Sequence, residues 1–530
     1  MTGPNAVILG DPDLSYLNNA ISVLFADASQ AAVADGVYPE SIPSDDDFNS
    51  NVSTTHSIWP RVRKGFQLES DVDHDLLQTE LNWYRSHPDY LSRVQERAEP
   101  FLYYILNETE ARGLPSELVL LPIVESAYQP FAYSHGRAAG IWQFIPSTGK
   151  LYGLKQNWWY DGRRDIDAST QAALQYLQNM GKLFDGDWML AMAAYNSGSG
   201  TVQRAIKHNK KQGQPTDFWH LKLPQETLRY VPKLLALKEL IEYPGKYNVS
   251  LLQIPDEPGF VQVDIGSQID MALAAEMAEI DIDTLYRYNP AFNRWATDPD
   301  GPHNLLLPTD HADIFIANLE AMPDDERIKW KRHKILAGET LSEIAARYST
   351  TVPQLRKVND LQSSSIRAGK YLIIPVASKA QSSYVLSAVQ RKKAIQARAG
   401  AAGGKTRIDH VVDKGESFWT ISRHYKVDMH KLAKWNGMAI KDPLRKGQKL
   451  VVWTKQQPSS QAVSYHKPAN TVRPISYTVR SGDSLSRIAD RYNVSVNDLH
   501  RWNSLSGKYL KPGQHLKLYV DVTEQAGESS

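Results

Sequence analysis

Apolar residues recur at three- and four-residue spacing from about residue 66 to residue 245, with Pro, Gly and Asp-Gly pairs between the periodic segments. The clearest examples are Asp75–Tyr84, Tyr90–Thr109 and Ala168–Leu183. This spacing is typical of helices that bury one face. Residues 66–245 are therefore predicted to form a compact all-α domain whose loops can carry function.

The flanking regions have different patterns. Residues 1–65 have no sustained apolar period and are predicted to be a flexible N-terminal segment. Residues 246–330 form a mixed ancillary region. In it, a strand-like run at Phe260–Ile265 precedes a helical pattern at Ile269–Ile280, and a second strand-like run follows at Leu305–Leu307.

The last 200 residues contain an internal repeat in three copies, which align on Gly338, Gly415 and Gly482. Each copy begins with an apolar strand, a Gly-Asp/Glu-Ser/Thr turn suited to a helix N-terminus, and an apolar helix face. A second short helix, a Gly turn and a final strand complete a βααβ module. The other shared positions are Ile344, Ile421 and Ile488, Tyr348, Tyr425 and Tyr492, Asn359, Asn436 and Asn503, and the closing Gly369, Gly447 and Gly513.

These repeats resemble LysM domains, which bind glycans containing N-acetylglucosamine, such as peptidoglycan and chitin. The resemblance covers residues 332–376, 408–454 and 475–520. It implies a shallow glycan groove beside the loop after the first strand and the loop after the second helix. The implied contact residues are Gly338, Glu339, Thr340, Gly415, Glu416, Ser417, Gly482, Asp483 and Ser484.

Two segments between the copies are rich in Ala, Ser, Gln, Lys, Gly and Pro. Residues 377–407 and 455–474 are predicted to be flexible linkers, because such compositions bury too little apolar surface to fold alone. The middle copy departs from the pattern at Phe418-Trp419. A weaker fourth copy is suggested at 260–308, where Asn289 follows Gly266 by twenty-three residues.

One carboxylate in the helical region stands in an unusual setting. Glu125 follows the apolar run Leu118–Val124, so its side chain is expected to lose solvent and its pKa to rise, which suits a general acid near neutral pH. An isolated Glu-Ser pair would more often mark an exposed helix end. Three further polar motifs follow it: Ser134 to Phe144, which includes Gln143; Tyr195-Asn196; and Glu226 to Val231. Amides and aromatic faces of this kind are typical of sugar clefts.

Together these four motifs resemble the lytic transglycosylase family with the SLT fold, which is related to goose-type lysozyme. The Gly-Ile-Trp-Gln-Phe variant followed by LysM repeats looks most like the membrane-bound lytic murein transglycosylase D group. The resemblance implies that Glu125 alone acts as acid and then base, leaving a 1,6-anhydro-N-acetylmuramic acid end. It also implies that the cleft is lined by Ser134, Gln143, Phe144, Tyr195, Asn196, Glu226 and Tyr230.

Two rival interpretations stay open at this stage. A lysozyme-like hydrolase with two carboxylates would need a second acid, and Asp161, Asp165 and Asp167 lie in a loop that could enter the cleft. A non-catalytic wall-binding scaffold would use only the LysM modules. The fold class is thus predicted as a lysozyme-like all-α domain followed by small α+β modules.

Composition narrows the possible partners. The 530 residues carry 60 basic and 59 acidic side chains and no cysteine, which argues against nucleic acid and excludes disulfides and cysteine-ligated metals. No histidine spacing implies a metal, and no cofactor is expected. The N-terminus shows no secretory signal, yet the family and substrate imply the cell envelope, specifically the periplasm, with possible outer-membrane association. A monomer is expected.

Overall fold

The computed structural model describes residues 57–69, 74–398, 406–454 and, with short gaps, 472–521. The chain divides into two compact units, residues 1–456 and 457–530. The first unit contains the helical domain and three small modules, and the second contains the last repeat.

The helical domain has one continuous apolar core. Asp165 and Asp187 begin two of its central helices by accepting backbone N–H bonds from Ala168 and Leu190. Short 3₁₀ turns lie at Ser116–Leu120 and Phe218–His220. The helices are α1 (Trp59–Lys64), α2 (Asp75–Arg85), α3 (Pro88–Ala111), α4 (Leu121–Ser126), α5 (Pro146–Leu151), α6 (Ile166–Leu183), α7 (Trp188–Ser197), α8 (Ser199–Lys211), α9 (Gln225–Glu242) and α10 (Pro244–Tyr247).

The domain begins earlier than the sequence predicts. Residues 57–65 are not flexible, since α1 buries Ile58, Trp59 and Val62 in the core and the Trp59 indole donates to the Leu252 carbonyl at 2.8 Å. A six-residue helix is too short to show an apolar period, so its anchoring by tertiary packing is invisible in the sequence. Residues 1–56 of the predicted flexible segment lie outside the described residues.

The ancillary region folds as a βααβ unit with its own core. Strands β1 and β2 pair antiparallel, with Val263 opposite Leu305. The Asn289 side chain joins the second helix to the closing strand, because it donates to the Leu285 and Leu306 carbonyls and accepts from the Leu306 N–H. The elements are β1 (Phe260–Asp264), α11 (Met271–Met277), α12 (Ile282–Tyr288), β2 (Asn304–Pro308) and the following α13 (Thr309–Ala321).

The three C-terminal repeats have the same order, each with a two-stranded antiparallel sheet. Their asparagines Asn359, Asn436 and Asn503 make the same bridge as Asn289. The elements are β3 (Lys329–Lys334), α14 (Leu341–Arg347), α15 (Val352–Val358) and β4 (Tyr371–Val376); β5 (Thr406–Val411), α17 (Phe418–His424), α18 (Met429–Trp435) and β6 (Lys449–Thr454); and β7 (Val472–Thr478), α19 (Leu485–Arg491), α20 (Val496–Asn503) and β8 (His515–Asp521).

The segment between the first two repeats is not a flexible linker over most of its length. After a 3₁₀ turn at Gln381–Ser383 it forms helix α16, Ala388–Arg398, and it buries Tyr384 and Leu386 against the ancillary module. The Tyr384 hydroxyl donates to the Asp270 carboxylate at 2.9 Å. The composition argument considered only whether this segment folds alone, whereas it folds onto a surface that another module supplies. Residues 399–405 and 455–471 lie outside the described residues, and β7 begins at Val472, within the segment predicted as the second linker.

Candidate active site

Glu125 lies near the end of α4. This helix begins directly after a 3₁₀ turn whose residues are all buried. The helix ends because Ala127 adopts the left-handed conformation, with φ of 51°. This places Glu125 at the edge of the core with only 8% of its surface exposed. Its Oε1 atom accepts a hydrogen bond of 2.7 Å from the hydroxyl of Tyr230.

Burial decides the protonation state of Glu125. Loss of solvent raises its pKa from 4.5 to about 8, and the nearby Glu226 carboxylate raises it as well. The Tyr230 hydrogen bond and the Lys233 charge lower the pKa but do not offset burial. At neutral pH the side chain therefore holds its proton, as a general acid must.

The motifs from α7 and α9 meet beside this carboxyl group. Asn196 donates to Glu226 Oε1 at 3.3 Å and accepts from the Thr227 hydroxyl at 2.7 Å. Glu226 and Tyr230 are four residues apart on α9, so they share one helix face. The Tyr195 hydroxyl donates to the Trp142 carbonyl at 2.9 Å, which joins α7 to the loop that carries Gln143.

The Gln143 loop has an unusual backbone. Gly140 has φ of 80°, and a Cβ atom there would lie 2.0 Å from the Arg163 carbonyl oxygen, so only glycine fits. Gln143 itself has φ of 50°, and its amide nitrogen donates to the Gly140 carbonyl at 2.7 Å. Its Oε1 atom is buried without a hydrogen-bond partner. A buried acceptor without a partner is costly, and a donor group of a bound ligand would satisfy it.

Phe144 and Ser134 have structural roles that the sequence did not indicate. The Phe144 side chain is 3% exposed and packs in the core, and its contact with substrate stays a prediction. Its neighbour Trp142 is fully buried and donates to the Thr170 hydroxyl. Ser134 is also buried, and its hydroxyl accepts from the Ala138 N–H at 2.9 Å, closing a turn.

Structural contacts hold the three aspartates that were considered as a second catalytic acid, Asp161, Asp165 and Asp167. Asp161 pairs with Arg163 and Arg164 at 2.8 Å, which lowers its pKa despite burial. Asp165 caps α6, and Asp167 accepts from the Tyr104 hydroxyl. These contacts give no support to a second catalytic carboxylate from this loop.

Two charged residues of the site carry no motif signal in the sequence. Lys233 follows Tyr230 by three residues on α9, so the two side chains lie on the same helix face. This spacing is the signal in the sequence from which Lys233 could have been found. Arg163 donates to the carbonyl oxygens of Arg137 and Phe144 and so holds the Gln143 loop.

The acidic residues of the repeat turns do not cap the helices that follow them, although the Gly-Asp/Glu-Ser/Thr turn as a whole was predicted to suit a helix N-terminus. Glu339 accepts instead from the Leu336 N–H and from His333. Glu416 does the same with Asp413 and His410.

Asp483 follows this arrangement in the last repeat, accepting from the Arg480 N–H and the Tyr477 hydroxyl. The helix N-termini are capped by the hydroxyl groups of Thr340, Ser417 and Ser484, and in the first repeat the Glu343 carboxylate also accepts from the Thr340 N–H. Gly338 and Gly415 have φ of 84° and 88°, whereas Gly482 lies outside the described residues.

Metal sites and membrane spans are both absent from the described residues. No group of His, Asp or Glu side chains there is arranged to hold a metal ion. No helix among the described residues is both long and apolar enough to span a bilayer.

Family models match most of the organised chain. The Transglycosylase SLT domain matches residues 103–218, and the LysM domain matches residues 333–375, 410–453 and 477–518. The model "Lytic transglycosylase MltD, LysM-like domain" matches residues 259–324, where the sequence suggested a weaker fourth copy.

The chain is also similar to individual proteins. The membrane-bound lytic murein transglycosylase D of Escherichia coli K12 is 36% identical over 77% of this chain and 88% of its own length. A putative tributyltin chloride resistance protein of Alteromonas is 39% identical over 34% of this chain and 83% of its own. Among solved structures, an inactive mutant of the lytic transglycosylase Slt from Pseudomonas aeruginosa is 21% identical over 37% of this chain and 33% of its own, with a TM-score of 0.23. The extent and identity of the first match show that the chain belongs to the membrane-bound lytic murein transglycosylase D family, with a lytic transglycosylase domain and LysM modules.

Proposed function

We propose that the chain cleaves the β-1,4 bond between N-acetylmuramic acid and N-acetylglucosamine in peptidoglycan, and that Glu125 is its acid and base. The observation that carries this proposal is the buried Glu125 carboxyl group, whose pKa of about 8 keeps it protonated at neutral pH. A protonated carboxyl group at the edge of a core is suited to give its proton to a leaving oxygen.

The reaction uses this one carboxyl group twice. Glu125 first protonates the glycosidic oxygen, so that the bond to C1 of the muramyl sugar breaks and the N-acetylglucosamine leaves with a free hydroxyl. The substrate's own N-acetyl group stabilises the positive charge at C1. The Glu125 carboxylate then takes the proton of the C6 hydroxyl as its oxygen bonds to C1, which gives the 1,6-anhydro end and restores the acid.

Neighbouring residues orient this chemistry. The Tyr230 hydroxyl donates to Glu125 and stabilises the carboxylate that forms after the first step. The buried Gln143 oxygen lacks a partner and is suited to accept from a sugar N–H or O–H group. Tyr195, Asn196 and Glu226 complete the wall of the cleft.

The LysM modules serve as wall-binding sites in this proposal. Weak modules on one chain raise the local concentration of the enzyme at its polymer. Such a substrate locates the protein in the cell envelope, in the periplasm and in association with the outer membrane, where we expect it to act as a monomer. The glycan contacts are expected at the loops that begin at Gly338, Gly415 and Gly482.

Digestion of purified sacculi, with the products analysed by mass spectrometry, tests the proposal. The wild type is expected to release anhydro-muropeptides, each lighter by one water than the hydrolysed form. Glu125→Gln keeps the shape and the Tyr230 contact but has no proton to give, so it is expected to bind sacculi and release nothing. Glu96→Gln, on the exposed side of α3, is the matched control and should remain active.

Other products would contradict specific parts of the proposal. Reducing ends in place of anhydro ends would indicate a lysozyme-like hydrolase that activates water. Binding without cleavage by the wild type would indicate a scaffold. Release of anhydro ends by Glu125→Gln would exclude Glu125 as the acid.

A further inference from the structure

A partly buried carboxylate of the second LysM module, Asp442, contacts the catalytic domain. Asp442, in the loop after the second helix of that module, accepts from the Tyr133 hydroxyl at 2.9 Å and forms an ion pair with Arg137 at 2.8 Å. It also accepts from the Ala439 N–H of its own loop at 2.8 Å. Its side chain is only 12% exposed, so solvent screens these contacts weakly.

Tyr133 and Arg137 lie in the loop that leads into Gln143. The Ala139 N–H donates to the Phe144 carbonyl, and the Gly140 N–H donates to the Ala132 carbonyl. The end of this segment is bonded in turn to the catalytic helix, since the Ser126 hydroxyl donates to the Ile141 carbonyl at 2.9 Å. These hydrogen bonds, together with the short backbone segments between them, join Asp442 to Ser126, the residue after Glu125.

Helix α16 supports the same contact from another side. Gln396 donates to the Asn436 side chain of the second LysM module at 2.8 Å. Near the other end of the helix, the Arg391 guanidinium lies 4.3 Å from the centre of the ring of Phe131, the first residue of loop 131–139. The module is thus held at two places, and loop 131–139 lies between it and the cleft.

Resting on the proposed function of the cleft, we propose that Asp442 is a positioning residue of the active site. It holds loop 131–139 through Tyr133 and Arg137, and the loop in turn holds Gln143 in its left-handed conformation. The second LysM module is therefore a structural part of the catalytic site as well as a wall-binding unit.

Kinetics of the full chain on soluble, uncross-linked glycan strands test this role. Asp442→Asn keeps an oxygen acceptor but loses the charge that faces Arg137, and it is expected to lower kcat about tenfold with little change in KM. Tyr133→Phe, made on the catalytic side, is expected to lower kcat in the same way. Asp409→Asn, at an exposed acid of the same module that pairs with Arg407, is the matched control and should leave kcat unchanged.

A double-mutant cycle separates positioning from folding. If Asp442 acts through Tyr133, the double variant Tyr133→Phe with Asp442→Asn should lose little more kcat than either single variant. The sacculus binding and melting temperature of Asp442→Asn should match those of Asp409→Asn. A wild-type kcat for Asp442→Asn, or a loss of kcat that only accompanies lost binding and a lower melting temperature, would overturn the inference. A wild type that forms no anhydro ends would instead contradict the proposed function.

Discussion

At the scale of single residues, the chemistry depends on where one carboxyl group is buried. Glu125 has an elevated pKa because α4 ends in the core, and its hydrogen bond to Tyr230 moderates that elevation. Burial disfavours the charged form, whereas a donated hydrogen bond favours it. The balance leaves a group that is protonated at neutral pH and can still ionise during the reaction.

The pH dependence of the rate follows from this balance. Because Glu125 must carry its proton before the first step, kcat/KM is expected to be lost as the pH rises through about 8. Tyr230→Phe removes a bond that stabilises the carboxylate, so the pKa rises and the alkaline limb moves to higher pH by about one unit. Tyr103→Phe, on α3, should leave the limb in place. If the alkaline limb of the kcat/KM profile of Tyr230→Phe stayed at the same pH or moved to lower pH, this account of the Glu125 pKa would be contradicted.

The burial of Glu125 could be predicted from the sequence, because an apolar run directly precedes it. Its neighbours were predicted less completely. The burial of the Phe144 ring was not predicted, because sequence spacing does not show which face of a loop an aromatic ring occupies. The partner-free oxygen of Gln143 depends on its positive φ, which no local pattern predicts for a glutamine.

At the scale of elements, the modules depend on one repeated asparagine. Asn436 is fully buried and joins α18 to β6 with three hydrogen bonds, and it also accepts from Gln396 of α16. Asn359 makes the three bonds within its own module in a half-buried position. The repeat alignment identified this position as shared, and the structure shows that its side chain links the second helix to the closing strand. Its partners were not predictable, because they lie on a strand about fifteen residues away.

Loss of this bridge should destabilise the module in proportion to its burial. Asn436→Ala leaves the Val451 N–H and two carbonyl groups buried without partners, at a cost of about 1–3 kcal/mol. Asn359→Ala is expected to cost less, because water can reach the freed groups. Urea unfolding of both full-length variants measures the difference, and equal effects would contradict the role of burial.

At the scale of the whole molecule, the first two LysM modules and the ancillary module share one compact unit with the catalytic domain, and the last repeat belongs to a second unit. The domain order was readable from motifs. The docking of residues 381–398 and of Asp442 was not, because it depends on surfaces that distant segments build together.

Removal of the second unit should separate wall binding from chemistry. A chain ending at residue 456 is expected to keep its kcat on soluble glycan strands and to bind sacculi about tenfold more weakly, since one of the linked sites is lost. Co-sedimentation with sacculi measures the binding. A large fall in kcat on soluble strands would show that the last repeat contributes to the cleft.

The central claim is that Glu125 makes the C6 hydroxyl of the muramyl sugar attack C1 of the same sugar, so that no water is added. Digestion of sacculi in water labelled with heavy oxygen, with mass spectrometry of the new ends, tests it most directly. We predict anhydro ends that carry no label, because the C6 oxygen of the substrate forms the new bond to C1. Labelled reducing ends would contradict the account and would assign Glu125 to the activation of water.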